Sequence, residues 1–259
     1  MPKFDANLSM LFTEYEFLDR FKAAADAGFK GVEYLFPYAY SIDEINQRLK
    51  QNRLQQVLFN LPAGDWEGGD RGIACDPNRI AEFRDGVEQA AEYAQALGCK
   101  QVNALAGIVP ENCQQETARE TFINNLRFAA PHLKATGVRL LIEAINIRDI
   151  PGFFLNNTKQ AISIIDQVGS DNLFYQYDIY HMQIMEGDLT PTLSKYINRI
   201  GHIQIADNPG RHEPGTGEIN YPFVLNYLDE INYYGWVGCE YMPQSNTETG
   251  LLWRDKLTV

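Results

Sequence analysis

Four residues with oxygen-bearing side chains stand at the ends of short apolar runs, where they could share one ligand. They are Glu143 in LLIEA, Asp178 in FYQYD, Gln204 in HIQIAD and Glu240 in GCEY. Any one of them alone is more often a solvated side chain, a helix cap or an ion-pair partner. Together, three carboxylates and an amide oxygen form a hard donor set, which suits Mg2+ or Mn2+ better than a thiolate-seeking ion. The four residues therefore predict a divalent-metal site.

Three further residues are candidates for substrate binding. His181 follows Asp178 by three positions, and its imidazole could hydrogen-bond a substrate oxygen or serve as a structural histidine. Arg71 lies in the Gly-rich segment AGDWEGGDRGIA, and Arg211 lies in NPGRHEPGTGEIN. A guanidinium can grip a carboxylate through two parallel hydrogen bonds, although each arginine could also be an ordinary solvated side chain.

The elements that must position these residues alternate along the whole chain as short apolar runs and longer amphipathic stretches, which is the pattern of repeated βα units. The predicted strands are 4–9, 31–36, 54–60, 101–105, 138–143, 173–178, 200–205 and 236–241. The predicted helices are 14–27, 42–52, 77–97, 116–136, 158–168, 190–198 and 221–232. Eight such units in a chain of this length predict a single (β/α)8 TIM-barrel domain over residues 1–259.

The alternative architecture is an open doubly wound sheet. Such a sheet usually carries a Gly-rich phosphate loop after its first strand, whereas MLFTEYEF follows the first predicted strand here. In a barrel, consecutive strands surround one mouth, and the catalytic residues stand at the carboxyl ends of the strands. The four oxygen ligands can therefore converge although they are far apart along the chain.

The charge balance limits the classes of partner. Lys and Arg number 22 against 34 Asp and Glu, which gives a net charge of −12. Because phosphate backbones and anionic lipids bind clustered cations, we expect neither nucleic-acid nor membrane partners.

There is no signal-like start and no apolar run of membrane-spanning length, so we expect a cytoplasmic protein. Four cysteines without C-x-x-C spacing are expected to be reduced thiols, and association into a homo-oligomer is left open.

Longer segments of the sequence resemble hydroxypyruvate isomerases, a family within the xylose-isomerase-like group of metal-dependent TIM barrels. The segments are ANLSMLF at 6–12, LFNLPAGDW and RGIA around 58–74, DIPGF at 149–153, QYDIYHMQ at 176–183, HIQIADNPGRHEPGTGEINY at 202–221 and GCEY at 238–241. The resemblance covers essentially the whole chain. Two positions differ from the expected pattern, since Met242 stands where Lys is expected and Ala144 where Pro is usual.

The resemblance implies that Glu143 and Glu240 are an acid/base pair, and that both bind Mg2+ or Mn2+ together with Asp178 and Gln204. It implies a small anionic sugar-acid substrate. The implied reaction interconverts hydroxypyruvate and tartronate semialdehyde (2-hydroxy-3-oxopropanoate) through an enediolate. The resemblance places this reaction in glyoxylate and carbohydrate metabolism. Isomerisation of a 2-oxo-tetronate and epimerisation of a ketose on the same site are the near alternatives. Metal-dependent phosphodiester cleavage and a catalytically idle sugar-acid binding protein are the rivals from other classes.

Overall fold

The computed structural model describes residues 2–256, which form a nearly closed barrel of eight parallel strands surrounded by helices. The strands are β1 (Lys3–Asn7), β2 (Gly31–Glu33), β3 (Gln55–Leu58), β4 (Gln101–Ala104), β5 (Arg139–Glu143), β6 (Leu173–Asp178), β7 (Ile200–Ile205) and β8 (Trp236–Cys239). The helices are α1 (Phe17–Asp26), α2 (Ile42–Asn52), α3 (Ile80–Leu97), α4 (Gln115–Ala135), α5 (Thr158–Val168), α6 (Ile179–Met185), α7 (Leu189–Tyr196), α8 (Tyr221–Glu230), α9 (Thr247–Gly250) and α10 (Trp253–Lys256). Within residues 2–256, no helix is long and apolar enough to cross a membrane.

Hydrogen bonding runs round the barrel in the strand order β3-β2-β1-β8-β7-β6-β5-β4. Strands β3 and β4, at the two ends of this order, are joined by backbone hydrogen bonds just beyond the end of β3. There the backbone N–H of Asn103 donates to the carbonyl of Phe59 at 3.0 Å, and that of Leu61 donates to the carbonyl of Asn103 at 2.9 Å. The predicted TIM-barrel fold is therefore confirmed.

The predicted element boundaries agree with the structure to different degrees. Strands 173–178 and 200–205 and helix 158–168 have the predicted ends. The strand predicted over 236–241 ends at Cys239, so Glu240 lies in the connection after β8 rather than within it. Helix α6 was not predicted, because it begins directly at the end of β6 with no Gly or Pro to mark a boundary. The short helices α9 and α10 were also not predicted.

The interior of the barrel has an apolar end and a polar end. Val57, Leu58 and Leu141 form a small buried cluster, against which Phe174 and Trp236 pack. Successive strand residues point to opposite faces, so Glu143 faces the same way as Leu141, one layer nearer the carboxyl ends of the strands. The apolar cluster therefore supports a layer of buried polar side chains.

The loop after β7 is organised around the buried carboxylate of Asp207. Its two oxygens accept four backbone N–H groups at 2.8 to 3.1 Å, from Asn208, Gly215, Gly217 and Ile219. The Asp207 N–H in turn donates to the carbonyl of His212 at 2.8 Å. Because each of these bonds involves backbone, the loop has a defined path, which carries Arg211 towards the barrel mouth.

Candidate active site

A cavity of about 90 Å³ lies at the carboxyl ends of the strands. Among the residues that line it are five of the predicted site residues, Glu143, His181, Gln204, Arg211 and Glu240. The carboxylate of Asp178 adjoins the same group, since its Oδ2 lies 3.5 Å from the His181 Nε2 atom and 3.8 Å from an Arg211 Nη2 atom. The structure thus brings together six of the seven residues singled out in the sequence.

The two glutamates approach this cavity from different sides. Glu143 ends β5 and Glu240 follows β8, so β6 and β7 separate them around the ring. Two strands that are three positions apart in a ring of eight lie almost on opposite sides of the barrel. Asp178 on β6 and Gln204 on β7 occupy the arc between them. A small molecule in the cavity would therefore have one glutamate on each side.

Asp178 has one occupied and one free carboxylate oxygen. Its side chain caps α6, because Oδ1 accepts the backbone N–H of Tyr180 at 2.8 Å and that of His181 at 3.4 Å. Its Oδ2 atom is buried, and no group within residues 2–256 donates a hydrogen bond to it. Burying a carboxylate oxygen without a partner is costly, so Oδ2 is suited to bind a cation.

The electrostatics of the three carboxylates favour a positive charge between them. Burial raises the pKa of Glu240 to about 8 and that of Asp178 to about 6. Burial, and then repulsion by Glu240 and Asp178, raises the pKa of Glu143 well above its usual range. Arg211 offsets part of this effect, because its guanidinium donates to Glu240 at 2.6 Å. The donor set of carboxylate and amide oxygens, with the free Asp178 Oδ2, fits a hard divalent cation.

Glu33, which the sequence analysis did not single out, connects the cavity to the buried layer beneath it. Its carboxylate accepts from the Asn7 amide at 3.0 Å and the Gln204 amide at 2.8 Å, and it lies 2.7 Å from the His202 ring Nε2 atom. The same Asn7 amide donates to Glu240 at 3.0 Å. Glu33, on β2, is thus hydrogen-bonded to residues of β1 and β7 just below the predicted metal ligands.

The Glu33 carboxylate also determines which way the Gln204 amide faces. Because a carboxylate accepts hydrogen bonds, the Gln204 nitrogen points towards Glu33, and its oxygen accepts from Gln176 at 2.6 Å. Space for this arrangement depends on Gly238, where a Cβ atom would lie 2.6 Å from the Glu33 oxygens. A glutamate in the otherwise apolar run GVEYLF was the signal that could have revealed this residue.

Arg71 is the predicted site residue that lies apart from the other six. Its guanidinium lies 4.5 Å from the ring centroid of Trp66 and donates to the carbonyls of Trp66 and Asp70 at 2.9 and 2.6 Å. Trp66 does line the cavity. Arg71 therefore contacts the cavity wall through this tryptophan.

The two departures from the expected family pattern have different surroundings. Ala144 is buried beside Glu143. The Met242 side chain is 51% exposed and stands at the rim, next to Arg211 and Tyr180. Its backbone N–H donates to the Arg211 carbonyl at 2.9 Å, so the backbone at this position helps to hold the loop that carries Arg211.

Comparisons with known proteins agree with this architecture. Residues 21–257 match the family described as the xylose isomerase-like TIM barrel. The chain belongs to this family. Hydroxypyruvate isomerase of Escherichia coli K12 is 56% identical over 255 residues, which are 98% of this chain and 99% of that protein. A 2-oxo-tetronate isomerase of Cupriavidus necator is 48% identical, over 98% of this chain and 97% of that protein.

Among solved structures, one described as an AP endonuclease of family 2 from Brucella melitensis superimposes with a TM-score of 0.96 at 47% identity, covering 99% of both chains. The relatives confirm the resemblance to hydroxypyruvate isomerases that the sequence segments indicated, and they confirm that the chain is an isomerase. The cavity lies at the carboxyl ends of the strands, which is where TIM barrels carry their active sites.

The raised carboxyl pKa values predict how stability depends on pH. Above the ordinary carboxyl pKa of about 4.3, and up to the raised values, the folded state binds more protons than the unfolded chain, so stability falls as pH rises. We expect the free energy of unfolding of the metal-free protein to fall between pH 5 and about pH 8, the pKa of Glu240. Urea denaturation across this range should show a smaller fall in Glu240→Gln.

The exposed Glu88 on α3 offers a matched control for this measurement. Because Glu88→Gln removes a solvated carboxylate, its dependence on pH should equal that of the parent. An equally steep fall in Glu240→Gln and the parent would show that Glu240 does not titrate with a raised pKa.

Proposed function

We propose that this isomerase interconverts hydroxypyruvate and tartronate semialdehyde with the help of Mg2+ or Mn2+ held by Glu143, Asp178, Gln204 and Glu240. The observation that carries the proposal is the pair of buried glutamates on two sides of one small cavity, with the unpartnered Asp178 Oδ2 between them. The 56% identity to a protein named hydroxypyruvate isomerase supports the choice of substrate.

The reaction moves hydrogen between two neighbouring carbons. A proton leaves the hydroxymethyl carbon of hydroxypyruvate, and a proton is added to the carbonyl carbon, while the hydroxyl hydrogen passes from one oxygen to the other. The bound cation would stabilise negative charge on these oxygens and so make the carbon-bound proton more acidic. One glutamate accepts the first proton and the other donates the second, a contribution of about 10²- to 10⁴-fold to the rate.

Two other side chains would hold the substrate, and a third would support the cavity wall. The His181 Nε2 atom lies between Glu143 and Asp178, 3.9 Å from the first and 3.5 Å from the second, and can reach a substrate oxygen there. Arg211 lines the cavity, and its buried Nε–H has no partner in the described part of the chain, which suits it to bind the substrate carboxylate. Arg71 would support the wall through Trp66.

A second candidate substrate is a 2-oxo-tetronate, which undergoes the same proton transfer and is one carbon longer. Relatives named 2-oxo-tetronate isomerase are 44 to 48% identical to this chain. The higher identity to a hydroxypyruvate isomerase favours the three-carbon acid. Steady-state rates with both acids, measured on the same preparation, separate the two substrates.

Phosphodiester cleavage is the function suggested by the description of the Brucella structure. The net charge of −12 opposes this function, because DNA binding requires clustered cations. Incubation with abasic duplex DNA should therefore yield no strand cleavage under conditions in which hydroxypyruvate is turned over.

The metal requirement and the role of Glu240 give a direct test. Chelator-treated protein should lose hydroxypyruvate turnover, and Mg2+ or Mn2+ should restore it. Glu240→Gln should lower kcat by at least about 10²-fold at saturating metal, because it removes a proton carrier. Asp178→Asn should instead raise the metal concentration needed for activity, because it removes charge from the donor set.

Glu88→Gln is the control here too, with parental kinetics expected. Full turnover in the presence of chelator would eliminate the metal from the mechanism. A near-parental rate for Glu240→Gln would remove this residue from the acid/base pair.

The two arginines can be compared in parallel. Removing one partner of a buried charge pair costs about 2 to 5 kcal/mol, so Arg211→Ala should lower kcat/KM for hydroxypyruvate by at least roughly 30-fold. Arg71→Ala should cause a smaller loss, because its effect passes through Trp66. The opposite order of losses would identify Arg71 as the carboxylate-binding residue.

A further inference from the structure

The two ring nitrogens of His181 have different surroundings. The ring is buried, with Nδ1 2.7 Å from the amide nitrogen of Asn146. Its Nε2 atom faces the cavity carboxylates, 3.5 Å from Asp178 Oδ2 and 3.9 Å from Glu143 Oε1. A neutral imidazole donates from one nitrogen and accepts at the other, so the location of its hydrogen decides what it offers to the cavity.

The orientation of the Asn146 amide is set by its contacts with Asp149. The backbone N–H of Asp149 donates to Asn146 Oδ1 at 2.8 Å, and Asn146 Nδ2 donates to Asp149 Oδ2 at 3.0 Å. If the amide were flipped, its NH2 group would face the Asp149 N–H, and its oxygen would face Asp149 Oδ2. Both contacts would then be repulsive. The Asn146 nitrogen therefore remains on the side that faces His181.

The second hydrogen of the Asn146 amide then points at His181 Nδ1, which must accept it. The ring hydrogen is consequently on Nε2. The surroundings of Nε2 favour the same tautomer, since its lone pair would otherwise face the oxygens of Asp178 and Glu143. The Asp149 carboxylate is itself held in place by the Tyr180 hydroxyl, which donates to Oδ2 at 2.8 Å.

We infer that Asn146, fixed by Asp149, is a positioning residue that keeps the hydrogen of His181 on Nε2, so that the ring donates to an oxygen of the bound substrate. The participation of a substrate oxygen rests on the proposed function, whereas the tautomer follows from the contacts within the protein. A fixed donor at this point would stabilise negative charge on that oxygen while the proton moves between carbons. The opposite tautomer would offer a lone pair instead.

Nitrogen-15 NMR of protein labelled in its histidine rings, with Mg2+ present, reads the tautomer directly. The chain has four histidines, and the signals missing from His181→Asn identify the ring in question. In the parent protein we expect the hydrogen of this ring on Nε2. A ring with its hydrogen on Nδ1 would overturn the inference without the need for any Asn146 variant.

Asn146→Leu has a similar volume but neither donates nor accepts. Because one hydrogen bond to Nδ1 is lost, the tautomer ratio should shift by roughly fivefold or more towards Nδ1–H. In the control Asn156→Asp, the changed amide contacts only backbone carbonyls and Asn157 and should leave the His181 signals unchanged. An unchanged ratio in folded Asn146→Leu would also overturn the inference.

Kinetics of the same variants separate this inference from the proposed function. Asn146→Leu should lower kcat for hydroxypyruvate at least about tenfold, with a smaller change in KM, because the donor acts mainly on developing charge. Parental kcat in this variant would overturn the positioning role. A parent protein without hydroxypyruvate turnover would refute the proposed function, while the tautomer would still be decided by the NMR measurement.

Discussion

Three carboxylates buried in one barrel mouth are the constraint on which the rest of the site depends. Burial disfavours the charged form of Glu143, Asp178 and Glu240, and their mutual repulsion adds to the cost. The chain supplies only partial compensation, through Arg211 and the donors that reach these side chains. The site is therefore arranged for an additional positive charge, and a divalent cation is the ligand with the matching donor preference.

The surrounding structure can be understood as the means of holding these oxygens in place. Capping of α6 occupies one Asp178 oxygen and leaves the other free. Below, Glu33 orients the Gln204 amide and, through Asn7, connects to Glu240. Polar groups buried at this depth must be satisfied by partners, so each fixed side chain restricts the next one. The result is a site whose oxygens are held in place by contacts within the protein.

Much of this architecture could be predicted from the sequence, because the βα alternation and the polar residues ending apolar runs are local signals. Glu143 and Asp178 stood out because each closes a strand, and Gln204 because it is a polar residue one position before the end of the apolar strand β7. Glu33 did not, because its importance arises from contacts with strands distant in sequence. Likewise, the packing of Arg71 on Trp66 depends on the path of a loop, which residue types alone do not determine.

In the proposed reaction, one glutamate removes a proton from one substrate carbon, and the other glutamate, on a different side of the substrate, delivers a proton to the neighbouring carbon. This division of roles can be tested by turnover of hydroxypyruvate in D2O, with saturating Mg2+ and immediate reduction of the tartronate semialdehyde formed. Because one residue removes hydrogen and another delivers a solvent-derived deuteron, we expect deuterium at the carbon that receives the proton in nearly every product molecule. Product in which that carbon carries the hydrogen removed from the neighbouring carbon would contradict this division of roles.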